Sequence, residues 1–223
     1  MSGRRRLEDM PNDVLMGAAD DSCRYGLSGF ALTSPTITVF DLEYTAWECS
    51  MARHWLAPGE FKEVVQIGAV KLDADSLAVL DEIDLLVRPR INPVLSPYFE
   101  KLTGISSEKV ARQGGDFAAA YARFLDFAGE GPIAAFGRDE TVLKDNIRLY
   151  GMTGARPLPV CYDLRGWFAV LGVDPRGLHS WELGPAVGVP FVGQIHNALD
   201  DARAIAGAMA VMVSRGARLK PAA

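Results

Sequence analysis

The stretch Thr36–Tyr44 reads TITVFDLEY. Its β-branched and aromatic residues suit a buried strand, and alternation puts Ile37, Val39, Asp41 and Glu43 on one face. Apolar residues therefore lead directly into two carboxylates with the same outlook. Like charges this close raise each other's pKa and repel unless a cation lies between them. A hard divalent ion with oxygen ligands, Mg²⁺ or Mn²⁺, resolves the conflict; a frayed strand end with both acids in water is the plain alternative. Working outward, Glu63–Asp73 (EVVQIGAVKLD) is a second apolar strand that ends in the turn residues Asp73, Asp75 and Ser76. Val79–Pro89 (VLDEIDLLVRP) alternates, with Ile83, Leu85 and Val87 on one face and Glu82, Asp84 and Arg88 on the other. The short turn between these two strands makes them a hairpin.

Beyond the hairpin the rhythm becomes helix, strand, helix, strand, helix. Asp116 opens a helix whose Phe117, Tyr121, Phe124 and Ala128 share one side. Pro132–Phe136 is a short buried strand, Asp139 starts a helix that closes near Gly151, and Leu158–Leu164 is another short strand. Ser180 is expected to cap a short helix ending at Gly188, and the last helix runs from about Ala198 to Arg215. Three strands followed by alternating helices and strands predict an α/β domain, a mixed sheet with helices packed on it. The domain is expected over residues 35–216, between a flexible or loosely docked N-terminal extension (1–34) and a short C-terminal tail (217–223).

With 49% hydrophobic and 23% charged residues in 223, the composition is that of a globular domain and excludes collagen, coiled coil or general disorder. The formal charge of −5 excludes a uniformly basic surface, so any phosphate binding has to be local. Three cysteines without framework spacing fit a reducing compartment. The N-terminus has no apolar core of a signal peptide, and the apolar run Ala204–Val213 is too short to span a bilayer. A cytoplasmic location without membrane attachment is expected; nothing in the sequence sets the oligomeric state.

Two further groups stand out. Asp139 begins a helix just after a strand, which N-capping alone would explain. His196 precedes the last helix, whose first turn holds Asp200 and Asp201. The helix dipole is a sufficient reason for acids there, but the two differ. Asp201 lies on the inward stripe of Ile205, Ala208 and Met212, whereas Asp200 groups outside with Arg203. A histidine beside clustered carboxylates is a candidate general base, because it titrates near neutrality.

In order, FDLEYT, LTGI, FGRDETVLKDN and HNALDDARAIA resemble the motifs of the DEDD superfamily of 3′–5′ exonucleases, in its histidine branch, DEDDh. The pattern Asp-x-Glu, a mid-chain Asp, then His-x4-Asp falls on Asp41, Glu43, Asp139, His196 and Asp201, and the resemblance covers roughly residues 35–216. In layout the chain is similar to the branch members that trim structured or small RNAs. Asp145 shares a helix with Asp139, but Asp139, at the helix start, points at the sheet edge. The resemblance implies an RNase H-like fold: a five-stranded mixed sheet with three antiparallel strands and helices on both faces. It implies metal-dependent hydrolysis of phosphodiester bonds from a free 3′ end of RNA or DNA, releasing nucleoside 5′-monophosphates. Asp41, Glu43, Asp139 and Asp201 would hold two divalent ions, Mg²⁺ or Mn²⁺, and His196 would take the proton from the attacking water. A catalytically silent nucleic-acid-binding or scaffold module on the same fold is the alternative, although all five residues are present. Two departures stand out. Tyr44 follows the motif glutamate where many members carry Thr or Ala. The insert Ala46–Phe61 is long, and its Trp47, Trp55 and Phe61 either stack a base or pin the loop to the core. Arg53, Lys62, Arg88, Arg90, Lys101 and Lys109 come from segments that would ring the site.

Overall fold

A computed structural model describes residues 23–24 and 34–219. Most of the expected N-terminal extension and the last residues of the expected tail lie outside the described residues. In chain order the elements are β1 (Cys23–Arg24), β2 (Thr36–Tyr44), β3 (Val64–Asp73), β4 (Val79–Leu86), α1 (Pro97–Thr103), α2 (Ser107–Gln113), α3 (Phe117–Ala128), β5 (Ile133–Ala135), α4 (Asp139–Leu149), β6 (Cys161–Asp163), α5 (Leu164–Val170), a 3₁₀ turn (Ser180–Glu182), α6 (Leu183–Ala186) and α7 (Ala198–Ser214).

The sheet order is β1-β6-β5-β2-β3-β4. β2, β3 and β4 pair antiparallel, while β2–β5, β5–β6 and β1–β6 pair parallel. The expected five-stranded mixed sheet is therefore present, and β1 extends it by two residues at the β6 edge. Strand alternation sorts the core into two layers. Ile37, Val39, Val70 and Leu72 pack with α5, α6 and α7, whereas Phe40, Leu42, Ile67 and Ala69 pack with α3 and α4. The α3 face is the predicted one: Phe117, Tyr121, Phe124 and Ala128 are buried, and Asp116 Oδ1 caps the helix on the Ala118 N–H at 2.8 Å. At the C-terminal end Leu219 is buried and packs on the α7 layer. No helix among the described residues is long and apolar enough to cross a membrane.

The structure differs from the sequence expectations in three places. The strand expected over 158–164 is only Cys161–Asp163, because Asp163 ends it by capping α5, its Oδ1 accepting from the Arg165 N–H at 3.0 Å. Ser180 is not a helix cap; His179 holds that position, and the serine hydroxyl is used elsewhere. The short helices α1 and α2 follow β4 where no element was expected, capped by the Ser96 and Ser106 hydroxyls. Together they cover a small third cluster of Val65, Leu95, Phe99, Ile105 and Val110.

Candidate active site

Asp41 and Glu43 sit near the C-terminal end of β2, on the face that carries α7. Their cross-strand partners on β3 are Gly68 and Gln66, and both serve the start of α7. A Cβ on Gly68 would lie 2.1 Å from the Leu199 nitrogen and 2.2 Å from the Ala198 carbonyl carbon. Only glycine lets the helix backbone come this close. Two residue pairs along, Gln66 Oε1 accepts from the Ala198 N–H at 3.0 Å while its Nε2 donates to Asp84 at 2.8 Å. Gln66 thus satisfies one of the orphan amides of the helix start. The first turn of α7 is clamped against the two acids by these contacts, which brings in Asp201.

Glu43, His196 and Asp201 converge, each offering a ligand atom within 4.8 Å of the others. Glu43 and Asp201 are buried, and Asp201 Oδ1 has no hydrogen-bond partner among the described residues. Glu63, another buried carboxylate, shows the contrast. It accepts from the Arg90, Ile91 and Asn92 amides, from Asn92 Nδ2 and from the Tyr150 hydroxyl at 2.6–2.9 Å, a structural role that fixes the 89–92 loop. A buried carboxylate oxygen without a donor is costly unless a cation meets it, so the donor set around Asp201 suits a hard cation.

Electrostatics extends the cluster to the remaining acids. Burial pushes Asp41 well above the usual carboxylate range, and Asp139, Glu43 and Asp201 add repulsion. The Ser180 hydroxyl, donating to Asp41 Oδ1 at 3.1 Å, pulls the other way. Burial likewise raises Glu43, with Asp201 and Asp139 adding to it. Asp139 is pushed up to about 7 by burial, Glu140 and Asp163, against its own backbone N–H and Arg165. Asp201 also rises to about 7, through burial and Asp200, against the His196 backbone N–H. Asp139 does not cap its helix: it is the first helical residue of α4, Arg138 occupies the cap, and no side chain caps the helix. Asp145 instead pairs with Arg148 at 2.9 Å on the solvent side.

His196 adopts φ 60°, a left-handed conformation that His tolerates better than most residues. Its half-buried ring meets the edge of Trp181, centroids 4.3 Å apart, and Trp181 stacks on His179 at the same separation. Burial and the neighbouring His179 hold the His196 imidazole below its usual pKa, so it is neutral and able to accept a proton near pH 7. Trp181, Gly68 and Gln66 were not singled out in the sequence, and Ser180 only as a helix cap. A glycine inside an apolar strand was the available signal for Gly68.

Three of the basic residues expected around the site have other engagements. Arg53 pairs with Glu60, Arg88 donates to the Ala111 and Gly114 carbonyls, and the Arg90 guanidinium lies over Tyr150. Lys101 and Lys109 are exposed on α1 and α2. Trp55 packs on Tyr44 with its indole N–H on the Thr45 carbonyl at 2.9 Å, which pins the insert to the end of β2.

An antiparallel-to-parallel sheet with carboxylates from β2, α4 and α7 gathered over one end of its central strand is the architecture of a nuclease on the RNase H-like fold. The exonuclease family RNase_T matches residues 38–209. The chain belongs to this exonuclease family. No curated relative matches the sequence. Among solved structures, the nuclease domain of 3′hExo, a DEDDh family member bound to rAMP, superposes with a TM-score of 0.71 at 22% identity, covering 85% of this chain and 97% of that one. A 3′-exonuclease solved for its 3′-end-specific recognition of a histone mRNA stem-loop gives 0.67 at 21% identity, over 82% and 83% of the two chains. Cell-death related nuclease 4 gives 0.67 at 19% identity, over 82% and 65%.

Proposed function

We propose that the protein trims polynucleotides from a free 3′ end by metal-dependent hydrolysis, releasing nucleoside 5′-monophosphates. The convergence of Glu43, His196 and Asp201 within 4.8 Å, with Asp201 Oδ1 lacking a donor among the described residues and Asp41 and Asp139 beside them, carries this reading. Asp41, Glu43, Asp139 and Asp201 would hold two divalent cations, Mg²⁺ or Mn²⁺. When bound, such ions lower the pKa of a coordinated water and offset charge building on the departing 3′-oxygen.

The chain's own groups do the rest. The His196 ring, neutral at pH 7, takes the proton of the attacking water, and its contact with Trp181 limits its rotation. Ser180 orients Asp41 through its hydrogen bond. Gly68 and Gln66 keep α7 at the distance the other contacts need.

The direct test is a 5′-labelled oligonucleotide, as RNA and as DNA, single-stranded and duplex, incubated with Mg²⁺ or with EDTA. A ladder shortening from the 3′ end in Mg²⁺ alone is expected; internal cuts in a circular substrate would point to an endonuclease instead. His196→Ala is expected to lower kcat by about 10²–10⁴-fold while Mg²⁺ still raises the melting temperature. An unchanged kcat would remove His196 from the proton transfer.

A further inference from the structure

Lys62 occupies a built seat beside the acidic cluster. Its carbonyl accepts from Asn146 Nδ2 at 2.7 Å, which ties its backbone to α4, the helix that starts with Asp139. Its ammonium lies 4.4 Å from the centre of the Trp55 ring and 5.7 Å from that of Tyr44. Those rings are themselves locked, 5.6 Å apart, by the fold of the insert. His54 and Trp55 both carry positive φ, 55° and 56°, uncommon for residues with a Cβ. Holding them there are the Arg53–Glu60 pair, the Ser50 hydroxyl on the Trp47 N–H at 2.8 Å, and the Thr45 hydroxyl on the Glu63 N–H at 3.0 Å. Strain of this kind concentrates where a segment has a task. Here its outcome is an aromatic bed under one cation.

Among the described residues Lys62 makes no ion pair; its partners are the two rings. Burial works against its charge, while Asp145 and Asp139 favour it. Aromatic faces hold an ammonium electrostatically and leave its N–H donors unspent. The net charge of −5 and the four clustered acids repel a polyanion, so a strand approaching the site needs a local cation. Arg53, Arg88 and Arg90 are committed to the protein itself, whereas Lys62 stands between the end of β2, whose Tyr44 ring it faces, and α4, whose Asp145 and Asp139 act on its charge.

We propose that Lys62 binds a backbone phosphate of the substrate strand beside the acidic cluster, with Trp55 and Tyr44 as the seat that positions its ammonium. This rests on the reading of the protein as an enzyme acting on polynucleotides. The departure at Tyr44 and the long insert then have one shared purpose: they build the bed.

The test is steady-state trimming of a 5′-labelled single-stranded oligonucleotide in Mg²⁺ across roughly 50–200 mM salt. Lys62→Gln is expected to raise KM about tenfold, the size of one charged hydrogen bond, with kcat changed much less. It should also flatten the log–log salt dependence by about 0.7, the share of one phosphate on a single strand. Lys62→Arg should restore both, and Trp55→Leu, which removes the seat, should raise KM in the same direction. A merely structural lysine would lower the melting temperature without moving the salt slope. If the wild-type enzyme trims and Lys62→Gln leaves KM and slope unmoved, or Lys62→Arg fails to rescue, the phosphate role is overturned. A wild-type protein that trims neither RNA nor DNA overturns the underlying reading, and is recognised before any variant is made.

Discussion

Gly68→Ala is expected to disable the enzyme although the residue has no functional group. The added methyl would stand 2.1 Å from the Leu199 nitrogen and 2.2 Å from the Ala198 carbonyl carbon, both of them helix backbone rather than side chains that can swing aside. The strand has little freedom to retreat, since Gly68 pairs with Asp41 on one side and Asp84 on the other. The start of α7 must therefore lift off the sheet. Lifting it stretches the 3.0 Å hydrogen bond from the Ala198 N–H to Gln66 and draws Asp201 and His196 away from Glu43. Overpacking of this kind costs about 3 kcal/mol, which for a chain of this size lowers the melting temperature by roughly 6–12 °C. A displacement of about 1 Å at reacting groups costs on the order of 10²-fold in rate. Thermal melting and trimming assays on the same preparation check both. Wild-type activity in Gly68→Ala would mean that the close approach does not position Asp201.

The periodicities were legible because they report burial directly. Alternation placed Asp41 and Glu43 on the α7 face of β2, and the helical stripe separated buried Asp201 from Asp200, which pairs with Arg203 at 2.9 Å. The two short helices after β4 were not legible. α1 and α2 are each only two turns long, too short for a period to emerge, and only the cap serines Ser96 and Ser106 announced them. Asp163 belongs to two elements at once, closing β6 and capping α5, and the apolar pattern runs through it without a break. Contacts between distant segments left no local trace at all. The hydrogen bond from Ser180 to Asp41, the clamp of Gln66 on Ala198 and the Trp181 edge on His196 each join residues that only the finished fold brings together. The gathering of the carboxylates was expected from the resemblance of the motif order, since Asp139 taken alone reads as a helix cap.

Asp41→Asn is expected to make the metal-free protein more stable and the enzyme nearly inactive. In the wild type Asp41, Glu43, Asp139 and Asp201 all lie above their ordinary pKa values, through burial first and mutual repulsion second for Asp41 and Glu43, and Asp139 and Asp201 reach about 7. A carboxyl whose folded pKa exceeds its unfolded value holds its proton more tightly when folded, so stability falls as pH rises between the two. For Asp139 and Asp201 that window runs from the unfolded value of about 4 to about 7. In EDTA the melting temperature should therefore drop between about pH 5 and pH 8. Saturating Mg²⁺ should recover roughly 5–10 °C at the higher pH, the shift expected when a ligand is present at about a hundred times its dissociation constant. At the lower pH protons compete for the same oxygens and the recovery shrinks. An amide at position 41 keeps the shape and removes one of the mutually repelling charges. The EDTA melting temperature of Asp41→Asn at about pH 8 should then exceed that of the wild type, its Mg²⁺ shift should shrink, and trimming should fall by about 10³-fold, the scale seen when a transition-state charge loses its stabiliser. Four acids kept together at a cost in stability are what a shared cation would require. A wild type more stable in EDTA at pH 8 than at pH 5 would show that the repulsion is relieved some other way.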